Sequence, residues 1–269
     1  MTDELLLEIS GRVAHLKINR QKAMNSIHPG LMAELTAMFQ KLDADDAVSV
    51  IVLSGVGSHF GAGYDLKFDW EGKYGREVLG QRKMLQDCVE FEFVPWRCTK
   101  PVIAMVRGFC LAGSCELAMM CCITIASDNS KFGEPEIRFS TSPPVVVMPW
   151  IVGLKKAREL LYTGDLIDAR EAHQIGMVNR IYPDADLEAQ TFRLARRMAA
   201  ISVEGLKTTK ASINKGAEIA GFLQAIDYGV EQGAMLDATE TATLKTFMEI
   251  RGREGLTAAI RWREKQFEE

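Results

Sequence analysis

The feature that most limits the fold is a change of periodicity along the chain. Apolar runs rich in Val and Ile occupy residues 48–53, 102–106 and 123–126, and Pro101 introduces the second. Runs this short and this uniformly apolar suit strands covered on both faces. Between them the apolar residues recur at helical spacing. Leu31, Leu35, Met38, Phe39 and Leu42, for example, follow Pro29, which fits the first turn of a helix. Residues 5–9 and 12–18 read as two more strands around a hairpin turn at Ser10-Gly11. Strands alternating with helices predict an α/β architecture with mostly parallel pairing. From about Leu187 onward only helical periodicity remains, as in Leu194 and Met198, Phe222 and Ile226, or Leu244 and Phe247. We therefore expect an α/β core over residues 1–200 and a helical C-terminal region over residues 201–269.

Composition removes several function classes. The net charge is -4 and both signs are mixed along the chain, so no basic stripe points to nucleic acid. No apolar run reaches the roughly 18 residues needed to span a bilayer. The six cysteines all lie between residues 88 and 122, with no C-x-x-C spacing and no nearby His. They read as reduced core thiols, not as metal ligands or disulfides. The N-terminus is acidic and then strand-like, unlike a secretory or transit peptide, so a soluble cytoplasmic protein is expected.

Two glycine turns and two carboxylates carry the chemistry. Gly61-Ala62-Gly63-Tyr64-Asp65 and Leu111-Ala112-Gly113-Ser114 each follow a run read as a buried strand and precede a helical pattern. Glycine allows a ligand close approach to the backbone. Two such turns at neighbouring strand ends can aim two N–H groups at one oxygen and stabilise charge developing on a carbonyl. The helix opening near Gly113 would add its positive end. Taken alone, the same residues also fit plain strand-to-helix turns. A phosphate loop fits less well, because Ser114 stands where a lysine is needed. Glu116 lies in the otherwise apolar stretch 110–122, so it must be paired, protonated or functional. Glu136 follows Pro135 and reads either as a surface helix start or as a second acid–base group.

The order of motifs resembles the crotonase (enoyl-CoA hydratase/isomerase) superfamily over about residues 10–182. It runs from Asn19-Arg20-Gln21-Lys22-Ala23-Met24-Asn25 through Phe60-Gly61-Ala62-Gly63-Tyr64-Asp65-Leu66 and Lys100-Pro101-Val102-Ile103-Ala104. It continues with the turn leading to Glu116, Phe132-Gly133-Glu134-Pro135-Glu136, Leu161-Tyr162-Thr163-Gly164 and Gly176-Met177-Val178-Asn179. The resemblance implies a spiral of strand-strand-helix repeats with a helical trimerisation region, assembled as a trimer or dimer of trimers. It implies an acyl-CoA thioester whose carbonyl rests on the backbone N–H groups of Tyr64 and Gly113. Glu116 and Glu136 would be the acid–base pair, Ala23, Ala62, Asp65 and Leu66 would contact substrate, and no metal or other cofactor is implied.

Some segments depart from the family pattern. The glycine run is Ala112-Gly113-Ser114, an aspartate position is Cys122, and residues 140–150 replace a glycine-rich stretch that lines the acyl side in relatives. Residues 67–82 form a long segment in which Phe68, Trp70 and Tyr74 suit either an acyl wall or packing. Retention of both Glu116 and Glu136 favours hydration of a 2-enoyl-CoA. Double-bond isomerisation, hydrolysis, a hydratase-lyase reaction and non-catalytic acyl-CoA binding are the alternatives.

Overall fold

The computed structural model describes residues 3–268. Strands β1 (Leu5–Ser10) and β2 (Val13–Ile18) form the expected hairpin. Helix α1 (Pro29–Ala44) then leads to β3 (Val50–Gly55). Two short helices, α2 (Trp70–Tyr74) and α4 (Val94–Arg97), flank the longer α3 (Val78–Glu92). Strands β4 (Val102–Val106) and β5 (Phe109–Leu111) precede α5 (Gly113–Met119). Strands β6 (Ile123–Ser127) and β7 (Lys131–Gly133) follow, then α6 (Met148–Val152), α7 (Leu154–Thr163), β8 (Ile167–Asp168), α8 (Ala169–Gln174) and β9 (Arg180–Tyr182). The rest is helical: α9 (Leu187–Ala199), α10 (Val203–Ile219), α11 (Phe222–Asp237), α12 (Ala242–Glu254) and α13 (Leu256–Glu264).

The main sheet has the order β1-β2-β3-β4-β6-β9, parallel everywhere except the β1–β2 hairpin. Its central strands are buried on both faces, and side-chain alternation divides them between two cores. Val50, Val52, Ile103, Met105 and Ile125 pack beneath α9, against Leu187 and Ala195. Ile51, Leu53, Val102, Ala104 and Val106 face the other way, into the larger core shared with Leu35 and Phe39 of α1.

A second sheet was not legible in the sequence. It is small, with order β5-β7-β8, and its strands span only two or three residues. Strands that short leave no alternation to read. The second glycine turn therefore follows β5 of this small sheet, not a buried strand of the main one. The segment 67–82 also differs from a loop, because α2 and the start of α3 occupy most of it.

The C-terminal helices lie back on the core of their own chain. Helix α11 packs along α3, where Val230 and Ala234 meet Leu85. One buried lysine fastens α10 from inside, and a second ties the segment before β4 to the end of α1. Lys210 is buried, and its Nζ donates to the carbonyls of Pro95 (2.7 Å) and Lys100 (3.0 Å). Lys100 is also buried and donates to the carbonyls of Leu42 and Asp45. Among the described residues no helix is long and apolar enough to cross a membrane.

Candidate active site

The two glycine turns lie side by side. Gly61 N–H donates to Phe109 O and Leu111 N–H to Gly61 O, each at 3.0 Å. Gly63 N–H donates to Ser114 Oγ at 3.0 Å. Gly63 has φ +83°, and a Cβ there would stand 2.5 Å from Ala112 Cβ and 3.3 Å from Gly113 N. Only glycine lets the turns approach this closely. Among the described residues, neither the Tyr64 nor the Gly113 amide donates to a protein acceptor. Two spare donors in touching turns are what a developing oxyanion requires. Helix α5 is only seven residues long, so its dipole adds less than a full-length helix would.

The same local geometry delivers the carboxylates. Ala112 N–H donates to Gly133 O at 2.8 Å, which ties the start of α5 to the end of β7. Glu116 lies in the first turn of α5, a helix buried on every side. Glu136 lies in the 3₁₀ turn Pro135–Phe139 directly after β7. Glu116 is fully buried, and its Oε1 accepts from Val145 N–H at 2.6 Å. The unusual segment 140–150 thus supplies a backbone donor to the first glutamate. Glu136 is no surface residue at its reactive end, because both its carboxyl oxygens are buried without a protein partner.

Two further glutamates share the site. Glu92, the last residue of α3, and Glu134 are both buried. Glu116 Oε2, Glu92 Oε2 and both oxygens of Glu134 lack protein hydrogen-bond partners. Burial, then the neighbouring carboxylates, pushes Glu116 well above the usual carboxylate range. Burial does the same to Glu134 and Glu92, although Tyr64 O–H donates to Glu92 Oε1 and opposes the rise. Glu136 is raised to about 7, chiefly by burial, with Asp237 of α11 adding to the shift and Arg263 of α13 opposing it. Arg263 is itself buried, with its Cζ 3.6 Å from the Phe139 ring centroid. Four carboxyls this close cannot all ionise in so dry a site. The neutral form is favoured at each of them. Among the described residues, no group of His, Cys, Asp or Glu has the arrangement to hold a metal ion, these four included.

The remaining expected site residues form one edge beside Tyr64. Ala23 ends a 3₁₀ turn and borders an open groove of about 500 Å³ with Glu4, Asn19 and Arg20. Ala62 N–H donates to Met24 O at 3.0 Å. The Asp65 carboxylate is engaged by Arg20 at 3.0 Å, and the Leu66 carbonyl accepts from Arg251. The aromatic residues of segment 67–82 back onto the site, with the Trp70 ring edge-on to Tyr64 at 5.5 Å. A larger surface groove, about 590 Å³ between α1 and α3, touches none of Glu92, Glu116, Glu134 and Glu136.

The match to a known family is direct. The enoyl-CoA hydratase/isomerase family model covers residues 8–267. This chain belongs to the enoyl-CoA hydratase/isomerase family. A crystal structure of an enoyl-CoA hydratase/isomerase from Xanthobacter autotrophicus Py2 matches with a TM-score of 0.96 and 36% identity, over 100% of both chains. A protein of Rhizobium meliloti called "Probable enoyl-CoA hydratase" is 36% identical over 81% of this chain and 83% of its own length. The crotonyl-CoA hydratase of Syntrophomonas wolfei is 35% identical over 80% and 83%. The chain therefore has the crotonase fold, with a helical C-terminal region.

Sequence reading missed several residues that the fold brings to this candidate site: Glu92, Glu134, Val145, Asp237 and Arg263. For two of them a signal was present. Glu92 continues the buried stripe Leu85, Cys88 of α3, and Asp237 continues Ile226, Val230, Ala234 of α11. A charged residue on an apolar stripe is the same anomaly that singled out Glu116.

Proposed function

We propose that this protein hydrates a 2-enoyl-CoA thioester to the 3-hydroxyacyl-CoA. The Tyr64 and Gly113 N–H groups receive the thioester oxygen as the enolate forms. Glu116 takes a proton from the water that adds to the β-carbon, and Glu136 gives a proton to the α-carbon. Coenzyme A enters as part of the substrate, along the edge formed by Ala23, Ala62, Asp65 and Leu66, and no other cofactor takes part. The observation that carries this reading is the pairing of two spare amides with two buried carboxyls that keep oxygens without a protein partner, Oε2 of Glu116 and both of Glu136. Glu136, raised to about 7, holds a deliverable proton near neutral pH. Similarity to the named hydratases supports the same reaction.

The test is hydration of crotonyl-CoA and a panel of longer and ring-bearing 2-enoyl-CoA thioesters, with products identified by mass spectrometry. Glu116→Gln and Glu136→Gln should each lower kcat by ~10² or more on the best substrate. Near-full activity in both variants would sink the acid–base assignment. Isomerised or hydrolysed product in place of the 3-hydroxyacyl-CoA would move the protein to another reaction on this scaffold.

The reading includes a cytoplasmic homotrimer or dimer of trimers. Ile213, Ile219 and Tyr228, each about two-thirds exposed or more, leave apolar surface on α10 and α11 for a neighbouring subunit. Light scattering should find three or six chains per particle. A fully active monomer at micromolar concentration would refute the assembly.

A further inference from the structure

The two glycine turns interlock. Each glycine of one turn receives a side chain of the other. A Cβ on Gly61 would stand 2.3 Å from Ser114 Oγ, one on Gly63 2.5 Å from Ala112 Cβ, and one on Gly113 2.4 Å from Tyr64 Cε2. Real Cβ atoms do not come so close, so three side chains fill space that only glycine leaves open. Two of the three, Ala112 and Tyr64, make their contact through carbon alone. The third is polar. Ser114 is buried, and its Oγ accepts from the Gly63 N–H at 3.0 Å.

That bond joins the neighbours of the two spare amides. Ser114 follows Gly113, and Gly63 precedes Tyr64. The backbone ties between the turns lie further back, where Gly61 N–H donates to Phe109 O and Leu111 N–H to Gly61 O. They fix the starts of the turns, two or three residues before the amides, and leave the ends to be held by something else. We propose that Ser114 is a positioning residue for the oxyanion site, its hydroxyl tying the two turn ends and setting the spacing between the Tyr64 and Gly113 amides. The kinetic consequence rests on the hydratase reading of those amides.

The physical reason is local. Gly63 is buried, so without the Ser114 hydroxyl its N–H loses its acceptor where water cannot replace it. A glycine backbone is free to turn in search of another partner. The Tyr64 N–H belongs to the next peptide unit and turns with it. Hydrogen bonds weaken steeply with misalignment, and an oxyanion site works only if its donors are aimed before the charge develops. Gly61 belongs to the same device. Its missing side chain is the space in which the Ser114 hydroxyl sits, and the next atom near that space, Asn25 O, is at an ordinary 3.5 Å. The serine of Ala112-Gly113-Ser114 and the glycine at 61 are therefore a matched pair.

The experiment has a spectroscopic, a kinetic and a thermal arm. Butyryl-CoA, a saturated thioester with no double bond to hydrate, is bound to wild type and to Ser114→Ala, and its C=O stretch is read by Raman difference spectroscopy. Wild type should lower the frequency, and Ser114→Ala should lose most of that shift. With the best enoyl-CoA substrate, Ser114→Ala should lower kcat about tenfold or more while KM stays within about threefold, as for an interaction made in the transition state. An unchanged shift with unchanged kcat refutes the positioning role, and so does a raised KM at unchanged kcat. In the thermal arm, Gly61 has no positive φ, so Gly61→Ala meets only the collision with Ser114. It should lower Tm by about 5 °C or more. In a Ser114→Gly background the same change should cost almost nothing, while kcat stays low. An equal loss in both backgrounds refutes the matched pair. A wild type that binds butyryl-CoA without any shift would sink the oxyanion reading and the positioning role with it, and the thermal arm would still decide the interlock.

Discussion

Glu116 and Glu134 belong to the floor of the site, in or beside α5 and β7, whereas Asp237 and Arg263 approach Glu136 from its cover, helices α11 and α13. On the floor, dry surroundings and neighbouring carboxyls outweigh the one backbone donor, Val145 N–H on Glu116, and each carboxyl is driven well above its ordinary range. At the cover, Glu136 meets one acid and one guanidinium, which oppose each other, and it settles at about 7. Dehydration is the largest cause in both places, and at the cover the acid and the guanidinium adjust a value near the working pH. Changes to the floor should stop the reaction, and changes to the cover should shift its pH dependence or the stability of the fold.

The sharpest way to break that contrast is Gly113→Val. Gly113 has no positive φ, so its backbone tolerates a side chain, but any Cβ collides with the Tyr64 ring. Turnover should fall by ~10³ or more, as for loss of an oxyanion donor, with the fold intact by circular dichroism. An active, folded Gly113→Val protein would show that the floor is not where the thioester sits.

A smaller effect tests what dehydration costs. Glu136 and Asp237 are both raised to about 7. A carboxyl raised on folding stabilises the protein below its unfolded value and loses that contribution as pH climbs through the folded one. Thermal stability of the ligand-free protein should therefore decline between pH 5 and pH 8. Glu136→Gln and Asp237→Asn should each be more stable than wild type at pH 8, by ~1–3 kcal/mol, and nearly equal to it at pH 5. Equal gains at both pH values would mean that the effect is packing and not charge.

The smallest expected change comes from Arg263→Met. The guanidinium holds Glu136 down, so its removal lets that carboxyl keep its proton to higher pH. The falling limb of the rate profile should move up by less than about one unit, with kcat at its maximum changed only modestly. An unmoved limb would place Arg263 outside the field of Glu136.

Floor and cover also differ in how much of them the sequence reveals. Glu116 is conspicuous because the six other residues of α5, all apolar or small, leave no reason for a charge. The glycine turns are legible because Gly63 needs a backbone that other residues resist, the central strands because burial on both faces removes polar residues, and the hairpin because of its Ser10-Gly11 turn. The cover has no such local mark. Arg263 finds Glu136 only through the packing of α12 and α13 onto the turn at Pro135–Phe139, a contact across more than a hundred residues. The small sheet is equally silent, since two or three residues per strand cannot express a period. Glu92 and Asp237 fall between these cases. Both lie on apolar stripes that can be read, but only the folded chain brings them to one place.

The buried ammonium of Lys210 has a consequence for how the chain is made. It satisfies carbonyls at Pro95 and Lys100, immediately before β4, yet it lies on α10. Synthesis reaches Lys210 about a hundred residues after β4, roughly 5–20 s later at ordinary ribosomal rates. During that interval the entrance to the central strand is held by water or by a chaperone, and not by its native partner. The nascent core is thus obliged to wait for its own C-terminal third, and a ribosome stalled in α9 would present a sheet whose middle strand is not yet locked.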